Sequence, residues 1–204
     1  MGIQDKQRVS EILTALAEDD QRERISLKDL LTILGERGFG ILILVLTLPN
    51  LTPIFLPGMS AVLGIPIGVL ALQIMVGAKQ PWLPNILLKR SLARSDFAKV
   101  IKYCLPLLNR AERLLKPRWG VFTSFLFRIL MAWVILVLAI FLALPLPFTG
   151  MILAFPLFIM SLALLEHDGL SALVGSILGI LINASIVYFF WTIFVEIWAW
   201  IFGV

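Results

Sequence analysis

Apolar and polar positions divide the chain into three long hydrophobic blocks separated by charged segments. Residues 38–78 carry no charge, residues 119–165 carry only Arg128, and the block from Leu170 is uncharged as far as Val195. Ahead of the first block, residues 3–19 place Ile3, Val9, Ile12, Leu13, Leu16 and Ala17 close to helical spacing, which predicts a short amphipathic helix. Ser26 and Asp29 then resemble a capping box opening a second helix, SLKDLLTILGERGF.

The first block is too rich in proline to be one helix. Between Leu48 and Gln73 lie Pro49, Pro53, Pro57 and Pro66, each of which removes a backbone donor and disfavours helix in the residue before it. The eleven residues from Gly38 to Leu48 would rise only ~16 Å as helix, about half of a ~30 Å hydrocarbon core. Lipid offers no hydrogen-bond partners, so broken backbone at that depth must be covered by protein or water. A re-entrant hairpin is expected, turning at Pro57-Gly58 and returning through residues 59–78, with Pro66 as a kink and Gly64 and Gly68 leaving one face bare for close packing.

A weaker copy follows. A shift of ninety residues superposes Leu56-Pro57 on Leu146-Pro147, Leu63 on Leu153, Pro66 on Pro156 and Leu72 on Leu162, and brings Arg37 within one residue of Arg128. The expected architecture is an all-α integral membrane protein: a helical bundle with broken or re-entrant proline-containing hairpins in two repeats, plus amphipathic interfacial helices. Its parts are residues 1–37, amphipathic and cytoplasmic or interfacial; 38–78, the first hairpin; 79–118, a basic amphipathic linker; 119–168, the second hairpin; and 169–204, a C-terminal membrane segment. As one helix that last segment would measure ~50 Å, so a break near Asn183 is expected. Gly175 and Gly179 suit tight packing in its first half, and Glu196 reads as an interfacial carboxylate.

Composition agrees with the pattern. Of 204 residues, 60% are hydrophobic and 15% charged, and the mean hydropathy is +0.98, outside the range of ordinary soluble domains. Ten of the seventeen Lys and Arg residues fall between Lys79 and Arg118, facing only Asp96 and Glu112, and none lies beyond Arg128. The positive-inside rule places residues 79–118 and the N-terminus in the cytoplasm of a multi-pass protein of the plasma membrane. Amphipathic spacing in Ser91–Lys116 predicts one or two interfacial helices on anionic lipid headgroups, not a nucleic-acid face. Nothing at the N-terminus reads as a cleaved signal peptide, and the single Cys104 reads as a free thiol.

Glu166-His167-Asp168-Gly169 holds the only histidine, so a proton relay or a metal site is one reading. A polar loop is preferred, since three adjacent residues cannot all face inward from a helix and Asp-Gly is a turn signal.

Several local signatures combine: ISLKDLLTILGERGFG, LPNLTPIFLPGMSAVLGIPIGVLALQ, PWLPNILLKRSL, ALPLPFTG and LLEHDG. Together they resemble the ExoD family over about residues 25 to 185. The resemblance implies a bacterial plasma-membrane protein of exopolysaccharide synthesis and supplies no catalytic residue. The family pattern often has Glu-Arg before the second apolar run, where this chain has Phe127-Arg128.

No cofactor, metal or catalytic set is expected, because paired carboxylates, a Ser/His/Asp arrangement and a glycine-rich phosphate loop are all missing. Catalysis is therefore the least favoured class. A solute-binding or translocating role is preferred, with a polar or sugar-like solute between the repeats. Asn50, Thr52, Ser60, Gln73 and Thr149 would supply neutral hydrogen bonds, and Arg37 and Arg128 would hold anionic groups or the membrane interface. Pro49, Pro57, Gly58, Pro66, Pro147, Gly150 and Pro156 would shape the turns. Taken singly, these polar side chains also have structural readings, Ser60 as a helix cap and Gln73 as a bond between helices. The alternative function is a non-transporting scaffold, a candidate homodimer, that recruits partners of a polysaccharide assembly.

Overall fold

The computed structural model describes residues 10–11, 14–15, 24–51, 58–84, 91–93, 125–144 and 149–202. Residues 10–11 and 14–15 are helical, and Thr14 Oγ1 donates to Ser10 O. The elements that follow are β1 (Arg24–Ser26), α1 (Leu27–Leu34), α2 (Arg37–Thr47) continued by a 3-10 turn (Leu48–Leu51), α3 (Met59–Met75), β2 (Ser91–Ala93), α4 (Phe125–Ala143), α5 (Thr149–Glu166) and α6 (Gly169–Phe202). Apart from the short β1–β2 pair, the described chain is helical. Three helices, α4, α5 and α6, are long and apolar enough to cross a membrane.

Two hairpins, α2–α3 and α4–α5, build the body. The first helix of each packs chiefly against the second helix of the other, α2 on α5 and α4 on α3. Glycines set both seams. A Cβ on Gly40 of α2 would lie 2.7 Å from Leu165 N and 2.8 Å from Ser161 O of α5, and one on Gly64 of α3 would lie 2.7 Å from Ala143 N and 2.8 Å from Ala139 O of α4. Those neighbours are backbone and cannot turn aside, so only glycine allows the helices to approach this closely. Gly68 has more room, with Ala139 Cβ at 3.7 Å. The pairing leaves Ile43, Ile67, Ile135, Leu138, Leu157 and Met160 fully buried between the hairpins.

The hairpins point the same way. Glu36, ahead of α2, forms an ion pair with Arg128 in the first turn of α4, while Ser60 and Gly150, in the first turns of α3 and α5, meet at the opposite end. The Glu36–Arg128 end is called the base below and the Ser60–Gly150 end the tip. At the tip Pro49 cannot donate to the α2 ladder, and the chain tightens into the 3-10 turn. Both α3 and α5 continue through an internal proline, Pro66 and Pro156.

Matching features recur at a ninety-residue spacing. α3 begins at Met59 and α5 at Thr149. At the base, the Ala78 N–H donates to Gln73 O at 3.0 Å and the Asp168 N–H to Ala163 O at 3.2 Å. Each bond closes over a left-handed residue, Gly77 at φ +77° and His167 at φ +51°. Both helices thus end in the same bond pattern of a C-terminal cap.

Two expectations are corrected. Ser91–Ala93, expected to open an interfacial helix, is a strand paired antiparallel with Arg24–Ser26. This pairing fastens the segment after the first hairpin to the one before it. The break expected near Asn183 does not occur, and α6 runs unbroken for 34 residues. No proline or charge interrupts it before Glu196, and Ser185 and Thr192 return their hydroxyls to Leu181 O and Phe189 O of the same helix. Gly175 and Gly179 seat its first half against Met160 of α5 and Val134 of α4, as expected. The aromatic second half is exposed. Thr52, Pro57, Pro147, most of residues 3–19 and the basic stretch 94–118 lie outside the described residues.

Candidate functional site

Polar side chains gather at two places along the hairpin pair, one at each end of α3. Ser60 and Gln73 mark them, and thirteen helical residues put them ~20 Å apart.

At the tip, Ser60 Oγ donates to Asn50 Oδ1 at 2.8 Å. Asn50 sits in the 3-10 turn that follows α2 and is 8% exposed, and its Nδ2 has no hydrogen-bond partner. A Cβ on Gly150 would lie 2.8 Å from Ser60 Oγ and 3.7 Å from Asn50 Oδ1. The first turns of α3 and α5 therefore meet beside the Asn50 amide. A buried amide donor left unpaired costs about 1–3 kcal/mol, so the junction is chemically incomplete. Gly58, the N-cap of α3, is left-handed at φ +83°, and no side chain caps the helix. Ser60 accordingly does not serve as the cap and instead reaches back to Asn50. Thr149 opens α5 beside Gly150.

At the base, a shallow cleft is lined by Glu36, Phe39, Ile74, Ala78, Arg128, Leu164 and His167. It lies where both hairpins begin and end, and Ile74 and Leu164 occupy it ninety residues apart. The side chain of Arg128 is 17% exposed and that of its partner Glu36 40%. Arg128 is thus committed to an ion pair between hairpins. Arg37, its counterpart in the repeat alignment, begins α2. Gln73 is occupied too: its Nε2 donates to Trp82 O at 3.0 Å, and the Trp82 N–H donates to Oε1 at 2.6 Å. Both ends of the amide hold the chain that leaves the hairpin.

The sequence-derived set thus divides, with Asn50, Ser60, Thr149 and Gly150 at the tip and Arg37, Gln73 and Arg128 at the base. Sequence reasoning missed Glu36 as a partner in the candidate region. Its signal was the one-residue offset between Glu36-Arg37 and Phe127-Arg128, which places an acid at the start of one hairpin and none at the start of the other. The Glu166–Gly169 segment is a polar turn between α5 and α6, in agreement with the Asp-Gly signal. Asp168 begins α6, its Oδ1 accepting from the Leu170 N–H at 3.3 Å and its Oδ2 from Ser171 Oγ at 2.7 Å. Among the described residues no group of three His, Cys, Asp or Glu side chains could hold a metal.

Comparison with known proteins identifies the lineage. An uncharacterized protein of Synechocystis is 34% identical over 177 residues, covering 85% of this chain and 84% of the relative. Protein ExoD of Rhizobium meliloti is 30% identical over 171 residues, covering 81% and 71%. No solved structure matches. The family model described as exopolysaccharide synthesis, ExoD, matches residues 9–189, which take in both hairpins, the tip junction and the base cleft. The chain belongs to the ExoD family of exopolysaccharide synthesis.

Proposed function

We propose that the protein is a non-enzymatic, multi-pass component of the bacterial inner membrane that binds or passes a polar, sugar-like solute of exopolysaccharide synthesis between two repeated hairpins. The observation that carries this reading is the tip junction, where the first turns of α3 and α5 meet at Ser60 and Gly150 beside the buried Asn50 amide, whose Nδ2 is unpaired. Recurrence of helix starts, internal prolines and cap bonds at ninety residues supports a duplicated unit, and interrupted helices at corresponding positions are where transporters build sites. The basic composition of residues 79–118 supports a cytoplasmic base near anionic headgroups and, with it, a tip in the outer half of the membrane. Fully packed residues between tip and base, Ile67, Ile135 and Leu157 among them, make the described arrangement a closed one. Passage would require the two glycine seams to shift.

Cysteine accessibility in a Cys104→Ser background tests this reading. Thr149→Cys is expected to react with a membrane-impermeant maleimide from the outer side, and His167→Cys only from the cytoplasmic side. Asn50→Ala is expected to reduce exopolysaccharide output at unchanged protein level. A folded protein in which Thr149→Cys reacts from neither side contradicts the reading.

The scaffold alternative is favoured by a different observation. The second half of α6 exposes Phe189, Trp191, Phe194, Trp198 and Trp200, a surface suited to lipid or to a partner in an assembly. Charge reversal in residues 89–118 separates the two readings. A scaffold loses partner association while Asn50→Ala is silent, and a solute-handling protein shows the reverse order of damage.

A further inference from the structure

Resting on that reading, the chemistry of the tip narrows the class of solute. α3 starts on Gly58 without a side-chain cap. Its first backbone bond toward Gly58 comes from the Val62 N–H, at 3.1 Å, so the N–H groups of Met59, Ser60 and Ala61 have no acceptor within the helix. The start of α5 stands beside it, with Gly150 against Ser60. Each helix N-terminus carries roughly half a positive charge, and the two meet here. No Asp, Glu, Lys or Arg occurs between residues 38 and 78 or between 129 and 165, so the charged side chains of the two hairpins, Arg37, Arg128 and Glu166, all belong to the base and none of them stands at the tip.

An independent observation points to the same place. Asn50 is more than nine-tenths buried, its Oδ1 is taken by Ser60 and lies 3.7 Å from a Cβ built on Gly150, and the Nδ2 of the same amide is a buried donor without a partner. A site of donors and positive helix ends, with the Asn50 amide oxygen already engaged by Ser60, favours a ligand that brings acceptors and negative charge. Arg37 and Arg128, the cations first considered for an anionic group, are at the base.

We infer that the tip junction is an oxyanion site, holding the phosphate or carboxylate of a charged saccharide or a lipid headgroup on the N-termini of α3 and α5 and the Nδ2 of Asn50. A neutral hydroxyl-bearing sugar alone makes poor use of it. The site works without an Arg or Lys, which suits a ligand that must later leave, because helix ends hold a charge more weakly than a bidentate guanidinium does.

The test uses the full-length protein carrying Cys104→Ser and Thr149→Cys, reconstituted in phosphatidylcholine vesicles and alkylated with a small uncharged maleimide. Inorganic phosphate or glucuronate at millimolar concentration is expected to slow labelling by a factor of about five or more, and glucose is expected to leave it unchanged. Slowing on adding phosphatidylglycerol to the vesicles, with no effect of the soluble anions, assigns the oxyanion to a lipid headgroup. Asn50→Asp keeps the acceptor that Ser60 uses but puts negative charge at the junction, and it is expected to remove the protection while labelling persists. Asn50→Ala is expected to weaken the protection in the same sense, and it serves where the Asp variant does not fold. Equal protection by glucose, protection by none of the probes, or undiminished protection in both Asn50 variants would overturn the inference. Those results leave the reading of a solute site at the tip standing, whereas failure of Thr149→Cys to label at all sinks both.

Discussion

In the first hairpin α3 ends over Gly77 at φ +77°, and in the second α5 ends over His167 at φ +51°, each with the next residue's N–H bonding five positions back. The bond patterns agree while the side chains do not. Where the first hairpin has Gln73 fixing the backbone of Trp82, the second has Ala163 and hands its chain directly to α6 through Asp168. Where the first begins with Glu36-Arg37, the second begins with Phe127-Arg128, and the single acid pairs with the later arginine. Features present in both hairpins therefore make the fold. Features present in only one route the chain or create asymmetry between the halves.

The largest expected effect breaks a seam. Gly40→Val or Gly64→Val puts side-chain atoms into backbone that cannot withdraw, and each is expected to cost about 3 kcal/mol or more. Gly68→Ala, with its nearest neighbour at 3.7 Å, is expected to be nearly neutral. Thermal unfolding of the purified protein in detergent, followed by size-exclusion chromatography, measures both. Equal losses at Gly68 and Gly64 would remove the argument from close approach.

Next comes the asymmetric ion pair. Arg128→Ala leaves Glu36 without its partner at the junction of the hairpins and is expected to lower stability by about 1 kcal/mol. The exchange Glu36→Arg with Arg128→Glu is expected to recover part of that loss in the same unfolding assay, because the charges remain complementary across the seam.

Opposite signs are expected at the two matched turns. Gly77→Ala places a Cβ in a left-handed conformation and should cost about 1 kcal/mol, whereas His167→Gly relieves the same strain and should gain up to about 1 kcal/mol. A loss at both positions would mean that the His167 side chain contributes more than its backbone conformation costs.

The smallest effect belongs to Gln73→Ala, which is expected to release the backbone of Trp82 with less than about 1 kcal/mol of destabilisation. Tryptophan fluorescence should shift as the 79–84 segment loosens, and exopolysaccharide output should hold.

Much of this was legible in the chain because proline and glycine act locally. Pro66 and Pro156 marked two helices that carry an internal proline, the Gly64–Gly68 and Gly175–Gly179 pairs marked helix contacts, and Asp168-Gly169 marked a turn, each through a backbone rule that needs no knowledge of neighbours. The α6 break was expected from bilayer thickness alone, which does not bend a helix that contains no breaker. The division of the candidate site was legible only in part. Ser60 and Gln73 were separable as two ends of the helix expected over 59–78, but only the same-sense packing of the hairpins brings Arg128 to the Gln73 end and Gly150 to the Ser60 end. The strand at Ser91–Ala93 was hidden for a related reason, since its partner lies sixty-seven residues earlier in the chain.

The proposed site exists only where the two hairpin tips meet. Ser60→Cys with Gly150→Cys, in a Cys104→Ser background, tests that contact directly. A Cβ on Gly150 lies 2.8 Å from the Ser60 side-chain oxygen, close to the ~3 Å that separates a Cβ from the distal sulfur of a disulfide. Mild oxidation of isolated membranes is expected to give an intramolecular cross-link, independent of dilution and reversed by reductant. Two free thiols in a folded protein, or a cross-link only between molecules, would contradict the account.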